Sequence, residues 1–395
     1  MRHRRAGRAR AAVLSLVIVC CACGGSLPAA TPSSTPSPSP VPSATLSPTL
    51  GPTVSATPSS AWLSLSDQST FQDGSMTLVV WNGSRFIGAD ASGTNGPEPS
   101  GLPRTWWSTD GSTWTSGSIQ AGQITALAAA PQGLVLAGTD TGVWASADGT
   151  VWHQVLREAT VAALVTGPSA MLAFVTPEDA DSNPLPTRTW ISSDGSHWRR
   201  IDPPALRGFE VAGAVAAPGG GYVAFGENVD TLAPGLWWSA HGLAWQGDTL
   251  DWTDPDSLDA LVGGPRGLLL VGRSGDGSWR VWASADGRAW SPEAQIPDQF
   301  DTLIPLAVTA SGYLAINPVE TPADPSDPSA TDSPTRLNLI ESSDGVNWAT
   351  GDAIELSDVA PPAVVSCSYA AGPATAVIAC DTQREGPLVF VRPGL

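Results

Sequence analysis

Lysine is absent from the 395-residue sequence; all 19 basic side chains are arginine, set against 37 acidic ones. The resulting formal net charge of −18 argues against a nucleic-acid ligand, whose phosphates are neutralised by Lys and Arg. Charged residues make up 14% of the chain, well below the roughly 25% of average soluble proteins. The apolar run Ala11–Ala22 falls short of the about 20 residues that a membrane-spanning helix needs. In place of charge the chain carries 41 Gly and 36 Pro. These are the two poorest helix formers, so a helical bundle is disfavoured. The length holds two domains or one large all-β domain. Tyr and Phe are also scarce, at 3 and 7, yet there are 17 Trp, and that imbalance needs a structural cause.

Residues 1–22 read as an export signal: five arginines (Arg2, Arg4, Arg5, Arg8, Arg10), then the apolar run, then small residues. Ala22-Cys23-Gly24-Gly25 resembles the cleavage box of bacterial lipoproteins, although Cys20 and Cys21 depart from that family's usual residues. The resemblance implies a diacylated Cys23 holding the mature chain to the outer side of the bacterial cell membrane. The alternative is an ordinary secretory signal cut nearby. Residues 23–60 form a linker with 9 Pro and 16 Ser or Thr beyond Cys23 and no charge. Such a tract cannot bury enough apolar surface to fold and is biased to polyproline II. At about 3.1 Å per residue it reaches roughly 100 Å. The mature chain keeps 14 Arg and all 37 acids, a net charge near −23. Two cysteines remain beyond Cys23, Cys367 and Cys380, a candidate disulfide in an exported chain.

Residues 61–395 contain one phrase six times. Its serine is Ser108, Ser146, Ser192, Ser239, Ser284 and Ser342; its aspartate is Asp110, Asp148, Asp194, Asp286 and Asp344, with His241 in the fourth copy. Gly111, Gly149, Gly195, Gly242, Gly287 and Gly345 follow, and each phrase ends on Trp114, Trp152, Trp198, Trp245, Trp290 or Trp348. Successive copies are 38, 46, 47, 45 and 58 residues apart, which points to a repeat architecture. The chemistry is that of a hairpin: a strand, an Asp-Gly turn in which Gly takes positive φ, and a return strand opened by Trp. The aspartates are therefore structural rather than catalytic. A further Trp lies two before the serine in five copies, so 11 of the 17 Trp belong to the repeat and not to a substrate platform.

Two apolar strands precede each phrase, and a seventh such pair, with a third strand at Pro387–Arg392, ends the sequence. Ala61-Trp62-Leu63-Ser64-Leu65 matches the segment after each turn, with Trp62 in the place of Trp152 or Trp198. The expected fold is a seven-bladed β-propeller of four-stranded antiparallel blades, closed by its N- and C-terminal strands around Trp62. A six-bladed ring with an extra hairpin is the alternative.

Ser-x-Asp-Gly-x-x-Trp resembles the Asp-box (BNR) repeat of sialidase-type propellers, with one residue fewer between Asp and Trp than the common box. The sialidase resemblance implies an arginine triad, a Tyr nucleophile and acidic partners. Arg104, Arg188 and Arg280 are the matching arginines, but each lies two before a repeat Trp, where stacking on the indole is expected instead. Tyr222 and Tyr313 sit at equivalent strand positions and read as repeat core; Tyr369 is the third tyrosine.

The repeated turns share one face of the propeller. Long unequal loops occupy the other and carry Glu178, Asp179, Asp181, Glu227, Asp230, Glu320, Asp324, Asp327 and Asp332. Asp179 and Asp181 are weak calcium candidates, and Asp254, Asp256 and Asp259 a second acidic cluster. His153 and His197 have no metal-ligand spacing, and no cofactor is implied. The leading expectation is a monomeric, non-enzymatic binding or scaffold module for an extracytoplasmic protein or glycan. A glycoside hydrolase using loop carboxylates, and an assembly factor for a membrane complex, are the alternatives.

Overall fold

The computed structural model describes residues 61–71, 74–91, 102–178, 185–247, 255–264, 267–274, 279–295, 304–309, 312–321, 333–356, 364–382 and 388–394. The export signal, Cys23 and the linker lie outside the described residues, as do Asp179, Asp181 and Asp254.

The chain forms seven four-stranded antiparallel sheets, the blades of a β-propeller, with no α-helix among the described residues. Blade 1 runs from Leu78–Trp81 to Thr115–Ser118, blade 2 from Ile124–Ala129 to His153–Arg157, and blade 3 from Val161–Thr166 to Arg199–Arg200. Blade 4 runs from Phe209–Ala216 to Gln246–Gly247, blade 5 from Pro255–Gly264 to Ser291–Gln295, and blade 6 from Ile304–Val308 to Ala349–Glu355. Blade 7 takes three strands from one end of the sequence, Val364–Ala371, Thr375–Thr382 and Leu388–Pro393, and its fourth, Leu63–Ser64, from the other. Leu63 pairs with Val391 and Ser64 with Phe390. The first strand of every blade touches the first strands of both neighbours, blade 7 against blade 1 included, so these seven strands enclose the central channel.

Each blade buries both faces, which is why its inner strands are nearly continuous apolar runs. In blade 1, Leu78, Val80, Ile87 and Ala89 join the core shared with blade 2. The alternate residues Val79 and Phe86 join the core shared with blade 7, as the period of two requires. Trp106 and Trp114 complete that seam with Phe71. Cys367 and Cys380 are register partners on the first two strands of blade 7 and are joined by a disulfide.

The innermost strands carry a feature that periodicity did not announce. In blades 2 to 7 the register slips near the start of the first strand, as between Ile124 and Ala126, Val161 and Ala163, Val211 and Gly213, or Leu258 and Ala260. A bulge of this kind re-aims the extra residue. Thr125, Ala162, Ala212 and Asp259 are the extra residues, and each is partly exposed. Ala212 packs against the core between blades 4 and 5, and Thr125 donates to the Val161 carbonyl of blade 3, so both face the next blade along. Three of them are small or neutral, and the fourth is a carboxylic acid.

Candidate functional site

The repeated turns occupy the face where first strands end and third strands turn into fourth strands, and their chemistry is spent on the fold. Each turn serine accepts the N–H of the glycine at 2.8 to 2.9 Å. The glycines hold φ values between 74° and 82°. Each glycine carbonyl accepts the indole N–H of the Trp three residues on, at 2.8 to 3.3 Å. Asp110 Oδ1 accepts the amides of Ser112 and Thr113, and Asp194 and Asp344 repeat the pattern. The His197 side chain, followed by the His197 and Ser196 amides, holds the Asp194 carboxyl far below the ordinary range. Asn347 does the same for Asp344. An acid whose charged form is held by backbone amides is a turn component, not a proton donor.

The tyrosines are similarly engaged. Tyr222 donates to the carbonyl of Ala170, and Tyr313 to that of Gly267, each on the preceding blade. Burial raises the Tyr222 phenol, a direction opposite to what a nucleophile needs. Arg104, Arg188 and Arg280 lie on the third strands of blades 1, 3 and 5, so the fold separates them. Arg188 pairs with Glu158 at 3.1 Å rather than with its strand's Trp. The described guanidinium–indole stacks are Arg273 over Trp279 at 4.1 Å and Arg288 over Trp238 at 3.8 Å. Arg273 and Trp279 are register partners, and a directly opposite neighbour is closer than one two residues along the same strand.

The loop face holds the more unusual electrostatics, at the mouth of the channel between blades 4 and 5. Glu210 and Glu227 are register partners, so their side chains share one side of blade 4. Phe209 and Val211 pack toward blade 3, and alternation sends Glu210 to the blade 5 side. On the adjacent innermost strand the bulged Asp259 accepts the Ser257 hydroxyl at 3.2 Å. Burial raises the Asp259 carboxyl, and the Arg273 charge and Ser257 only partly oppose it. A continuous register from Ala216 and Tyr222 would set Glu210 opposite Asn228; the slip between Val211 and Gly213 is what brings it opposite Glu227. Nothing in the sequence announced that bulge, nor the one that carries Asp259.

A substitution tests the Asp259 environment. Because its folded value lies above the ordinary 3.8, ionisation favours the unfolded chain. Stability is fully present below that value and lost as pH rises through the folded one. Asp259→Asn is therefore expected to melt higher than the parent at about pH 7 and equal to it at about pH 3. Thermal unfolding at both values checks this; a gap at low pH alone contradicts it. Asp194 and Asp344, with lowered values, act in the opposite sense: their stabilisation is lost as pH falls.

On the turn face two clefts open at seams. One of about 410 Å³ lies between blades 2 and 3 beside Gln132, Ser169, Met171 and Asp194. The other, of about 270 Å³, lies between blades 6 and 7 beside Trp62, Tyr313, Leu314 and Arg392. Among the described residues, no three His, Cys, Asp or Glu side chains converge as a metal cage would need. The Asp256 side chain, like Asp179 and Asp181, is outside what the structure describes.

No family model matches the sequence, and no curated protein matches it. Solved structures resemble its fold. Trypanosoma rangeli sialidase in complex with the inhibitor DANA is 12% identical with a TM-score of 0.44, over 80% of this chain and 54% of that one. PorZ, an essential bacterial surface component of the type-IX secretion system of Porphyromonas gingivalis, gives 12% and 0.44, over 85% of this chain and 39% of that one. A mutant of Aleuria aurantia lectin in complex with alpha-methyl-L-fucoside gives 15% and 0.41, over 74% and 98%. The chain spans about half the length of the sialidase.

Proposed function

We propose that this chain is an exported, lipid-anchored propeller of the Asp-box type, working as a non-enzymatic binding or scaffold module for an extracytoplasmic protein or glycan. The repeated Ser-x-Asp-Gly-x-x-Trp turn supports the repeat assignment, and Cys23 in its Ala-Cys-Gly-Gly context supports the anchor. The observation that carries the binding reading is the Glu210–Glu227 pair facing the blade bearing Asp259. Acidic side chains gathered at a channel mouth draw in basic groups, so the ligand surface is basic.

Capture of extracytoplasmic proteins by the full chain, read by mass spectrometry at low and high salt, tests this. The combined variant Glu210→Gln, Glu227→Gln, Asp259→Asn is expected to lose most captured material and its salt dependence. Capture unchanged by that variant contradicts the reading. The anchor has its own test: Cys23→Ser is expected to release the protein from membranes, and continued labelling by a lipid precursor rules the site out.

One observation favours a second reading. A carboxyl raised by burial at a channel mouth is the state a general acid requires. If the chain is a glycoside hydrolase, an aryl-glycoside panel will show turnover that Asp259→Asn abolishes, and the non-enzymatic reading falls.

A further inference from the structure

The seams between blades are closed by one recurring plug, and among the described residues one seam lacks it. In each repeat the turn glycine is seated against the preceding blade. A Cβ on Gly149 would meet Ile87, on Gly242 Leu172, on Gly287 Val223 and on Gly345 Leu269. The glycine carbonyl then takes the indole N–H of the Trp that opens the fourth strand. Among the described residues blade 7 has no such turn, because Leu388–Pro393 and Leu63–Ser64 come from opposite ends of the sequence. Trp62 nonetheless stands directly before Leu63, as Trp152 stands before His153, and so holds the seventh indole position.

Its Nε1 is buried and has no hydrogen-bond partner among the described residues. The indole N–H of Trp144 and Trp190 is also buried and unpartnered there, but neither residue lines the cleft at this seam. Leu314 is the second residue of blade 6's second strand, as Ile87 is of blade 1's. It lines the 270 Å³ cleft together with Trp62, Tyr313, Tyr369 and Arg392. An unpaired buried donor is unfavourable, and here it borders space in the position that a glycine turn fills elsewhere. Arg392 is held by Asp352 at 3.0 Å through one of its nitrogens, leaving guanidinium donors for an incoming acid.

We infer that the seam between blades 6 and 7 is a docking site for a polypeptide turn of the Asp-Gly type, supplied by a partner protein. The turn's main-chain carbonyl accepts the Trp62 Nε1 hydrogen, its glycine Cα rests on Leu314, and its aspartate meets Arg392. The occupied seams define the ligand: glycine is needed both for positive φ and for contact with the leucine. This inference rests on the binding reading only in that the occupant is another protein, and it concerns the face opposite Glu210 and Asp259.

The test uses the full chain with ¹⁵N-labelled indoles and the peptide acetyl-Ser-Ala-Asp-Gly-Thr-amide, which copies residues 146–150. The Trp62 resonance is assigned by its loss in Trp62→Phe. Titration is expected to shift that resonance saturably, with a Kd on the order of 1 mM. A peptide with L-Ala in place of Gly is expected to bind at least about tenfold more weakly, since positive φ disfavours it. Leu314→Trp, which fills the seam, should weaken binding as much while leaving the other indole resonances in place. If that variant does not fold, the Gly and Ala peptides decide alone.

No shift of the Trp62 resonance overturns the proposal, as does equal binding of the two peptides. A free-chain resonance that moves when Pro58, Ser59 and Ser60 are replaced by glycine overturns it too, by assigning the seam to the chain's own linker. The combined Glu210, Glu227 and Asp259 variant should leave the peptide shift intact, so loss of capture and loss of this site are separable results.

Discussion

Gly149→Ala is expected to lower the unfolding free energy by about 2–4 kcal/mol, from the combined cost of positive φ and of overpacking. The position is constrained twice. Its φ is 81°, where a β-carbon is strained, and an added Cβ would come within 2.4 Å of Ile87 Cδ1 on blade 1. Ile87 is fully buried in the core shared by blades 1 and 2, so it has no free space into which to move. Displacing the turn would also strain the Gly149 carbonyl bond to Trp152 and the serine bond to the Gly149 amide. Gly83 is the control. Its φ is 95° but an added Cβ would have nothing within 4 Å, so Gly83→Ala should cost only about 1 kcal/mol, the backbone term alone. Urea unfolding of the two variants separates the terms. Equal losses would mean that the seat on the neighbouring blade contributes nothing.

Removing residues 61–65 is expected to destabilise the whole propeller, by more than about 3 kcal/mol, rather than fray one end. Five residues are few, but they hold several kinds of contact. Leu63 and Ser64 pair with Val391 and Phe390, and the Leu65 amide donates to the Val389 carbonyl at 2.8 Å. Trp62 packs on the core joining blades 6 and 7, and Leu65 on the core joining blades 7 and 1. Without them Leu388–Pro393 becomes an unpaired apolar edge, a template for association with other chains. A lower melting temperature together with concentration-dependent aggregation is the expected pair of results. An unchanged melting temperature in the truncated chain contradicts ring closure through Trp62.

The blades were legible in the sequence because the information is local. Ser, Asp, Gly and Trp act within seven residues of one another, and each bond from Ser192 to Gly195 or from Trp198 to Gly195 joins near neighbours. The channel mouth was less legible because its groups come from adjacent blades and from a register slip. Glu227 was visible as a loop-side acid and Asp259 as one of an acidic cluster with Asp254 and Asp256. Glu210 was not, since its meaning depends on the strand opposite it. The arginines show the same limit. Spacing of two along a strand suggested stacking for Arg188, but the structure gives it to Glu158 and stacks Arg273 across strands instead. Spacing specifies a face; the partner on that face is chosen by a strand far away in sequence.

The seating of each turn on the preceding blade sets an order of assembly. Gly149, Gly242, Gly287 and Gly345 all rest on residues synthesised before them, so those contacts can form while the chain is still being made. Gly111 is the exception, because its neighbours include Thr375 and Val377 of blade 7. Blade 1 therefore stays unseated until the last hairpin arrives, and Leu63–Ser64 waits for the same strands. A nascent propeller of this design has two open flanks until the strands of blade 7 are made. It shuts when Leu63–Ser64 meets Leu388–Pro393, which makes that pairing the commitment point for its folding.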